Sequence, residues 1–305
     1  MRRKTFLTAA LKIRNILKYV FRALPGILFL VSATAKLFSI DSFELYLFGF
    51  GWFRLGTAYL LARLVIAAEY TLGLLLLANF CPRTAAWASA AMLAGFTVFL
   101  AALALTGRRD NCNCFGEWVQ MNPVQSIVKN LVLAGMLALS AGVRPFRLRY
   151  RGLLFGLAAA VPAAIVLIVS PPDNWRYAAY ESHGMVNERA LHEALESGIL
   201  PGSVAEGEHV VCFFSLKCGF CKMSARKLMT LRERGEFSQA PVIAVIGRGE
   251  DTDTAPFFEE TGFRADETHF IDPKDFLRIT NASMPLILVM QDSVPAACYN
   301  YRNLH

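Results

Sequence analysis

Five stretches within the first 171 residues consist almost entirely of apolar side chains, each roughly as long as a membrane-spanning helix. A helix needs about 20 apolar residues to cross the hydrocarbon of a bilayer. The stretches, from clearest to weakest, are 84–106, 57–80, 152–170, 23–40 and 123–142. A large helical core of a soluble protein is the alternative, but 84–106 holds no charged residue at all. The pattern therefore predicts five spans.

Beyond residue 208 the apolar residues come in short runs, which alternate with segments of helical periodicity. Such alternation is typical of an α/β sandwich with parallel pairing near its start. Pro171 and Pro172 lie between the two patterns and mark a domain boundary. The predicted strands are 208–216, 241–247, 268–272, 286–290 and 294–298, and the predicted helices are 223–234, 253–261 and 272–279.

Composition agrees with a membrane protein. Of the 305 residues, 55% are hydrophobic and only 18% are charged, against about 25% charged in an ordinary soluble domain. This excludes a disordered chain, a nucleic-acid-binding arm and a plain cytosolic enzyme. The net charge of +7 is divided unevenly: residues 1–171 hold 18 basic and 5 acidic residues, and residues 172–305 hold 13 and 19. A basic, apolar first half is thus joined to an acidic, soluble second half.

Positive charge in the short loops predicts the orientation of the spans. The N-terminal tail, the loop at Arg83 and the loop before the fifth span hold 12 Lys and Arg, whereas the opposite loops hold 3. Loops rich in Lys and Arg stay in the cytoplasm, so we expect a bacterial inner-membrane protein with a cytoplasmic N-terminus. The predicted domains are 1–22, a basic amphipathic segment on the inner surface; 23–142, with four spans; 143–171, a basic loop and the fifth span; and 172–305, in the periplasm.

A C-x-x-C motif, Cys218-Gly-Phe-Cys221, lies between a predicted strand and a predicted helix. This context is the thioredoxin-like redox signature. Cys218 falls at the helix N-terminus, where free N–H groups and the helix dipole stabilise a thiolate, and we expect Lys217 and Lys222 to add positive charge. Cys221, one turn further, is placed to resolve a mixed disulfide. Half of a zinc site and a permanent structural disulfide are the alternatives.

Met284-Pro285 comes directly before a predicted strand, and we expect a cis-proline there that packs beside the cysteines and orders the partner chain. With the C-G-F-C motif, this dipeptide makes residues 185–300 resemble the thioredoxin-like family. Cys212 lies inside an apolar strand, which predicts a buried core thiol.

A second cysteine pair, Cys112-Asn-Cys114, lies in a predicted outer loop. A disulfide within C-x-C closes a small ring, and strained, exposed disulfides are the more oxidising ones. The orientation argument places this loop on the same side of the membrane as Cys218. The alternative is a permanent disulfide that only stabilises the loop. Cys81, at the inner end of the second span, is expected to take no part.

Four ionisable side chains lie within the predicted spans. Lys36, Arg63 and Lys129 fall within about 6–10 Å of the outer surface at about 1.5 Å per residue, and Glu69 falls near the midplane. Ionisable residues inside a membrane indicate function, and we interpret the three cations as a pocket for a quinone head group, with Glu69 relaying a proton. The alternative is that Lys36 and Lys129 snorkel to the interface while Glu69 pairs with Arg63 or Lys36.

Residues 20–145 resemble the MauE/DoxX membrane family. The resemblance depends on Arg22 with Pro25-Gly26 and Phe29, Ser32-Ala33 with Lys36-Leu37, Glu69 with Leu72-Gly73, and Cys112-Asn-Cys114-Phe-Gly116. It implies a four-helix membrane unit associated with quinone-linked redox chemistry and, for the methylamine-utilisation branch, disulfide formation in a periplasmic enzyme. The expected fold class is therefore an α-helical membrane bundle, with a fifth tethering span, followed by an α/β thioredoxin-like domain.

These observations predict a membrane-bound thiol–disulfide oxidoreductase. Electrons would pass from periplasmic client proteins with cysteine pairs to Cys218/Cys221, then to Cys112/Cys114, and finally to a membrane quinone. We expect no tightly bound cofactor and no metal, with lipid, quinone and client proteins, but not nucleic acid, as partners. Two alternatives remain open: an enzyme that reduces or isomerises disulfides with electrons from another donor, and a non-catalytic assembly factor for a periplasmic enzyme.

Overall fold

The computed structural model describes residues 2–79, 81–105, 114–119, 121–146, 149–177, 185–248 and 253–304. Cys112 lies outside this described part of the chain. Two compact units form: the first comprises residues 1–46 and 60–171, and the second comprises residues 47–59 and 172–305.

The described part of the chain before residue 171 is helical apart from one short strand. Its helices and its strand, in chain order, are α1 (Arg2–Phe38), α2 (Ile40–Phe48), α3 (Leu55–Ala78), α4 (Pro82–Leu105), β1 (Cys114–Glu117), α5 (Pro123–Leu139) and α6 (Arg151–Val169). Four helical segments within the described residues are long and apolar enough to cross a membrane: Lys12–Phe38, Leu55–Ala78, Pro82–Ala102 and Gly152–Val169. Helix α5, which covers the weakest of the five predicted spans, is a shorter apolar helix of 17 residues.

The predicted surface segment 1–22 and the predicted first span form a single helix, α1, with Pro25 inside it. The sequence between them contains neither a glycine cap nor a polar turn that would end a helix. The two stretches therefore differ in composition but not in backbone conformation.

Large apolar side chains remain exposed on the outer faces of α5 and α6. They include Val124, Val128, Leu131, Val132, Leu153, Ile165, Ile168 and Val169. Apolar surfaces of this extent mark contact with a membrane or another protein. The inner faces of α3, α4 and α5 pack into a core with α1 that includes Phe29, Leu76, Leu93 and Leu133.

The second unit contains a five-stranded sheet in the order β4-β3-β2-β5-β6. Strands β2 (Glu208–Phe214), β3 (Val242–Gly247) and β4 (Glu267–Ile271) are parallel, and β5 (Leu286–Gln291) and β6 (Val294–Tyr299) complete the sheet antiparallel. The helices are α7 (Asp173–Arg176), α8 (Glu188–Glu196), α9 (Gly219–Glu233), α10 (Ala255–Thr261) and α11 (Pro273–Ile279). The predicted α/β fold, with its initial parallel pairing, is confirmed.

Successive side chains of β2 point to opposite faces of the sheet, and both faces are buried. Val211 and Phe213 belong to the cluster formed with helices α8 and α11. Phe214 contacts the rings of Phe257 and Phe263, at centroid distances of 5.9 and 5.4 Å. Cys212, which points to the same face as Phe214, is fully buried. The prediction of a core thiol at this position is therefore confirmed.

The segment 47–59 belongs to the second unit, which the hydrophobic pattern did not suggest. Arg234, just after α9, donates hydrogen bonds to the carbonyls of Phe48 and Phe53, at 2.7 and 2.6 Å. Lys227 donates to the hydroxyl of Tyr59 at 2.8 Å. These contacts join residues more than 160 positions apart, so local sequence patterns carry no sign of them.

Candidate thiol–disulfide site

The C-x-x-C motif lies where the carboxyl end of β2 passes into α9. Cys218 is the N-cap residue of α9, with extended backbone angles of φ −79° and ψ 118°. Its sulfur accepts a hydrogen bond from the backbone N–H of Cys221 at 3.3 Å. The reactive sulfur therefore occupies the position at which a helix offers unpaired N–H groups and the positive end of its dipole.

The two cysteines are free thiols of different acidity. A hydrogen bond from the Cys221 thiol is the main cause that lowers the pKa of Cys218, from 9.0 to about 6; partial burial opposes this, and the backbone N–H groups of Cys221 and Phe220 assist it. The pKa of Cys221 is raised, because its thiol donates that bond and because it is buried. At neutral pH, Cys218 is thus mainly a thiolate and Cys221 remains protonated.

We expected the positive charge of Lys222 to stabilise the Cys218 thiolate, but the structure pairs this charge with a carboxylate. Its ammonium group forms an ion pair with Glu260 at 2.6 Å, and Glu260 also contacts Arg226. This carboxylate neutralises positive charge beside the first turn of α9. Hydrogen bonds, rather than neighbouring lysines, lower the pKa of Cys218.

Met284-Pro285 has a cis peptide bond, as predicted. Leu286, the next residue, pairs with Phe213 at the carboxyl end of β2. Pro285 therefore lies at the end of the sheet from which Cys218 emerges. Phe220, inside the motif, is 44% exposed and its ring lies 5.6 Å from that of Tyr301. Exposed aromatic surface beside Cys218 is suited to contact with another protein.

The second predicted cysteine pair is described only in part. Cys114 begins β1, which lies against α1. Gly116 has a φ of +55°, and a Cβ added there would lie 2.1 Å from the Ser39 hydroxyl and 2.6 Å from the Ala35 carbonyl. The C-x-C-F-G motif thus needs glycine at its end, because only glycine permits both this backbone conformation and this close approach.

Lys36 and Glu69 form a buried ion pair between α1 and α3. The Lys36 ammonium lies 2.6 Å from the Glu69 carboxylate, and each side chain is 3% exposed. The same ammonium donates to the Ser32 hydroxyl at 2.8 Å and lies 5.6 and 5.7 Å from the ring centres of Phe43 and Phe96. Of the two ion pairs left open for Glu69, the structure contains the one with Lys36.

Arg63 belongs to a second buried cluster. Its guanidinium group pairs with Glu44 and donates to the carbonyls of Ser170 and Pro171, at 2.9 and 3.0 Å. Arg63 thereby satisfies two backbone carbonyls just beyond the C-terminus of α6. Lys129 lies 4.6 Å from the ring centre of Phe115, next to Cys114. The predicted quinone residues thus divide into Lys36 with Glu69, Lys129 beside the cysteine loop, and Arg63 with α6.

Sequence reasoning overlooked Glu44 and assigned no role to Ser32. A signal for Glu44 was present, because this carboxylate interrupts an otherwise apolar run, 43–50. Ser32 offered no comparable signal: a serine in a span is ordinary, and its importance comes from its contacts with Lys36 and Cys114.

Two comparisons relate the chain to known proteins, and a third finds no match. Residues 14–143 match the family profile described as methylamine utilisation protein MauE. "Protein TlpB" of Flavobacterium psychrophilum is 25% identical over 310 residues, which cover 81% of this chain and 81% of that protein. No solved structure matches the chain significantly. The chain is therefore a multi-pass membrane protein in which a helical region similar to MauE precedes an α/β domain that carries the C-x-x-C motif and resembles a thioredoxin-like domain.

Proposed function

We propose that this protein is a membrane-bound thiol–disulfide oxidoreductase that generates disulfides in periplasmic proteins. The observation that carries the proposal is the pairing of Cys218, whose pKa is lowered to about 6, with the buried and protonated Cys221 at the N-terminus of α9. A partly exposed thiolate beside a buried thiol is the arrangement that thiol–disulfide exchange requires.

In the oxidising reaction, the enzyme starts with a Cys218–Cys221 disulfide. A client thiolate attacks the Cys218 sulfur, the Cys218–Cys221 bond breaks, and a mixed disulfide forms while Cys221 takes up a proton. The second client thiolate then attacks the client sulfur of this mixed disulfide, which forms the client disulfide and releases Cys218 as a thiolate. The client loses two electrons, and the cysteine pair gains them.

The low pKa of Cys218 favours this direction of electron flow. A thiol of lower pKa is a better leaving group, and stabilisation of the reduced form makes a disulfide more oxidising. A reductase fed by another donor uses the same sulfurs in reverse. The reduction potential separates the two, since about −270 mV is typical of a reductant such as thioredoxin and about −120 to −180 mV of the oxidising enzymes.

Reoxidation would use the second cysteine pair. Cys218 attacks a disulfide formed by Cys112 and Cys114, and Cys221 resolves the resulting mixed disulfide. The reduced Cys112 and Cys114 then pass two electrons and two protons to a membrane quinone, which becomes a quinol. Lys36, Glu69 and Lys129 are the proposed quinone-binding groups, and Arg63, also assigned to this site, has its described contacts with Glu44 and α6.

The resolving role of Cys221 gives the sharpest test. Cys221→Ser removes the attack of Cys221 on a mixed disulfide at Cys218. Adducts of Cys218 with Cys112 or Cys114 should therefore accumulate in the oxidising direction, and adducts with client proteins in the reducing direction; mass spectrometry detects both. Cys218→Ser/Cys221→Ser is the matched control and should trap none. Absence of every such adduct under oxidising conditions would refute the exchange mechanism. If the double variant still supported maturation of the client enzyme, the protein would be an assembly factor and not an oxidoreductase.

A further inference from the structure

We infer that Ser32 is a positioning residue for Cys114, which it joins to the buried Lys36–Glu69 ion pair. The Ser32 hydroxyl donates to the backbone carbonyl of Cys114 at 2.7 Å and accepts from the Lys36 ammonium at 2.8 Å. This inference rests on the proposed redox function of Cys112 and Cys114, and it concerns how that function is built into α1.

The chemistry of the hydroxyl decides which contact it makes. A serine hydroxyl has one proton to donate and two lone pairs. Lys36, which can only donate, occupies a lone pair. The proton then has a near acceptor in the Cys114 carbonyl, at 2.7 Å, and more distant ones in the Glu69 oxygens, at 3.2 and 3.3 Å. The ammonium polarises the hydroxyl and so strengthens its bond to Cys114.

A contribution to stability does not by itself account for the burial of the Lys36–Glu69 ion pair. Removing two charges from water is costly, and apolar residues of similar volume often hold helices together equally well. Lys36 and Glu69 are nevertheless both buried within the helical unit. A fixed ammonium that orients Ser32 gives this pair a purpose beyond joining α1 to α3.

Strand β1 is held on α1 at further points. Gly116 approaches the backbone of Ala35 so closely that no side chain fits, and the ring of Trp118 stacks on Phe38 at a centroid distance of 5.9 Å. Together with the Ser32 bond to Cys114, these contacts fix the backbone that carries the cysteine. Thiol–disulfide exchange depends on access to the sulfur under attack, so the backbone position controls reactivity.

A second hydroxyl of α1 provides a matched control. Thr34 lies two residues from Ser32; its hydroxyl donates to the carbonyl of Leu30 at 2.8 Å and shares a hydrogen bond of 2.9 Å with the hydroxyl of Tyr70 on α3. Thr34→Ala therefore removes a hydroxyl that joins α1 to α3, at a site whose described contacts do not involve β1 or the Lys36–Glu69 ion pair.

The test measures turnover of the full-length protein in nanodiscs, with a reduced dithiol peptide as substrate and ubiquinone-1 as the electron acceptor. Ser32→Ala should lower kcat by about 10- to 100-fold, as expected when reacting groups are misplaced by about 1 Å, with little change in the KM for ubiquinone-1. Ser32→Thr keeps the hydroxyl and should restore most of kcat. Thr34→Ala should retain kcat.

Gly116→Ala provides an independent test, because the added methyl group must displace β1 while Ser32 and the ion pair stay unchanged. It should lower kcat as Ser32→Ala does. Wild-type kcat in both variants would overturn the inference, and Gly116→Ala alone decides if Ser32→Ala fails to fold. If the wild-type protein itself cannot reduce ubiquinone-1, the proposed function fails and not merely the role of Ser32.

Discussion

At the scale of single residues, cysteines of one chain differ widely in acidity. Cys218 has a pKa lowered to about 6 by hydrogen bonds to its sulfur, whereas burial raises the pKa of Cys298 to about 11. Burial also raises the pKa of Cys212, and donation to Cys218 raises that of Cys221. Only the thiolate is a nucleophile. Among these four residues, Cys218 alone is therefore reactive at neutral pH.

The first prediction concerns alkylation of the reduced protein. Because the thiolate fraction increases with pH, the rate of Cys218 modification by iodoacetamide should rise with a midpoint near pH 6 and level off above pH 7, as the pKa of about 6 requires. Cys298 should remain slow throughout this range, since its pKa is about 11. Peptide mass spectrometry after timed quenching measures both. A midpoint near pH 9 for Cys218 would contradict the hydrogen-bonded arrangement.

At the scale of elements, α1 and α3 are joined by the Lys36–Glu69 ion pair, and the second prediction concerns its loss. Removing one partner leaves an uncompensated buried charge, which costs about 3–5 kcal/mol. Lys36→Met and Glu69→Gln should each lower the thermal unfolding temperature of the purified protein, and the double variant should recover much of the loss.

Lys129→Met is a suitable control for that measurement. Its described contact is with the Phe115 ring, a cation–π interaction worth about 0.5–2 kcal/mol. A smaller effect than in either single variant of the pair is expected. If Lys36→Met and the double variant were equally unstable, the ion pair would not be the reason for the loss.

How far the sequence predicts these elements depends on the range of the interactions involved. The strand before Cys218, the helix after it and the cis-proline follow from local patterns of two to fifteen residues. The partners of Arg63 do not, because Ser170 and Pro171 lie more than 100 positions away and offer only backbone carbonyls. Any carbonyl at a helix end offers the same chemistry, so residue types alone could not select these two.

The residues around Lys36 and Glu69 show the same contrast between local patterns and long-range contacts. Lys36 and Glu69 attract attention as charges in apolar stretches, but the sequence left the partner of Glu69 open between Lys36 and Arg63. Only the packing of α1 against α3 decides it. Ser32 carries no charge and acquires its role from three neighbours contributed by α1, α3 and β1.

At the scale of the whole molecule, the number of membrane crossings decides whether the proposed relay can operate. Three helices long and apolar enough to cross a membrane, α1, α3 and α4, lie between the N-terminus and the loop with Cys112 and Cys114, and α5 and α6 follow before residue 172. If both cross, the two cysteine pairs share one face of the membrane. If α5 does not cross, they lie on opposite faces and cannot exchange.

Helix α5 is the element in question. Its 17 residues extend over about 25 Å at about 1.5 Å per residue, slightly less than the hydrocarbon thickness of about 30 Å. Two features favour a crossing: apolar side chains such as Val128 and Leu131 are exposed on its surface, and the basic residues that follow at 144–151 suit a cytoplasmic loop. Short spans are accommodated by local thinning of the bilayer, at modest energetic cost.

The last prediction follows from that crossing. In intact spheroplasts treated with reductant, a membrane-impermeant maleimide should modify Cys218 and the peptide that contains Cys112 and Cys114, while Cys81 should react only after the membrane is permeabilised. Cys81 is the internal control for an intact membrane, because it lies between α3 and α4 at the predicted cytoplasmic side. Labelling of the 112–114 peptide without Cys218 would mean that α5 does not cross, and the relay between the two cysteine pairs would have to be abandoned even if each pair is redox-active alone.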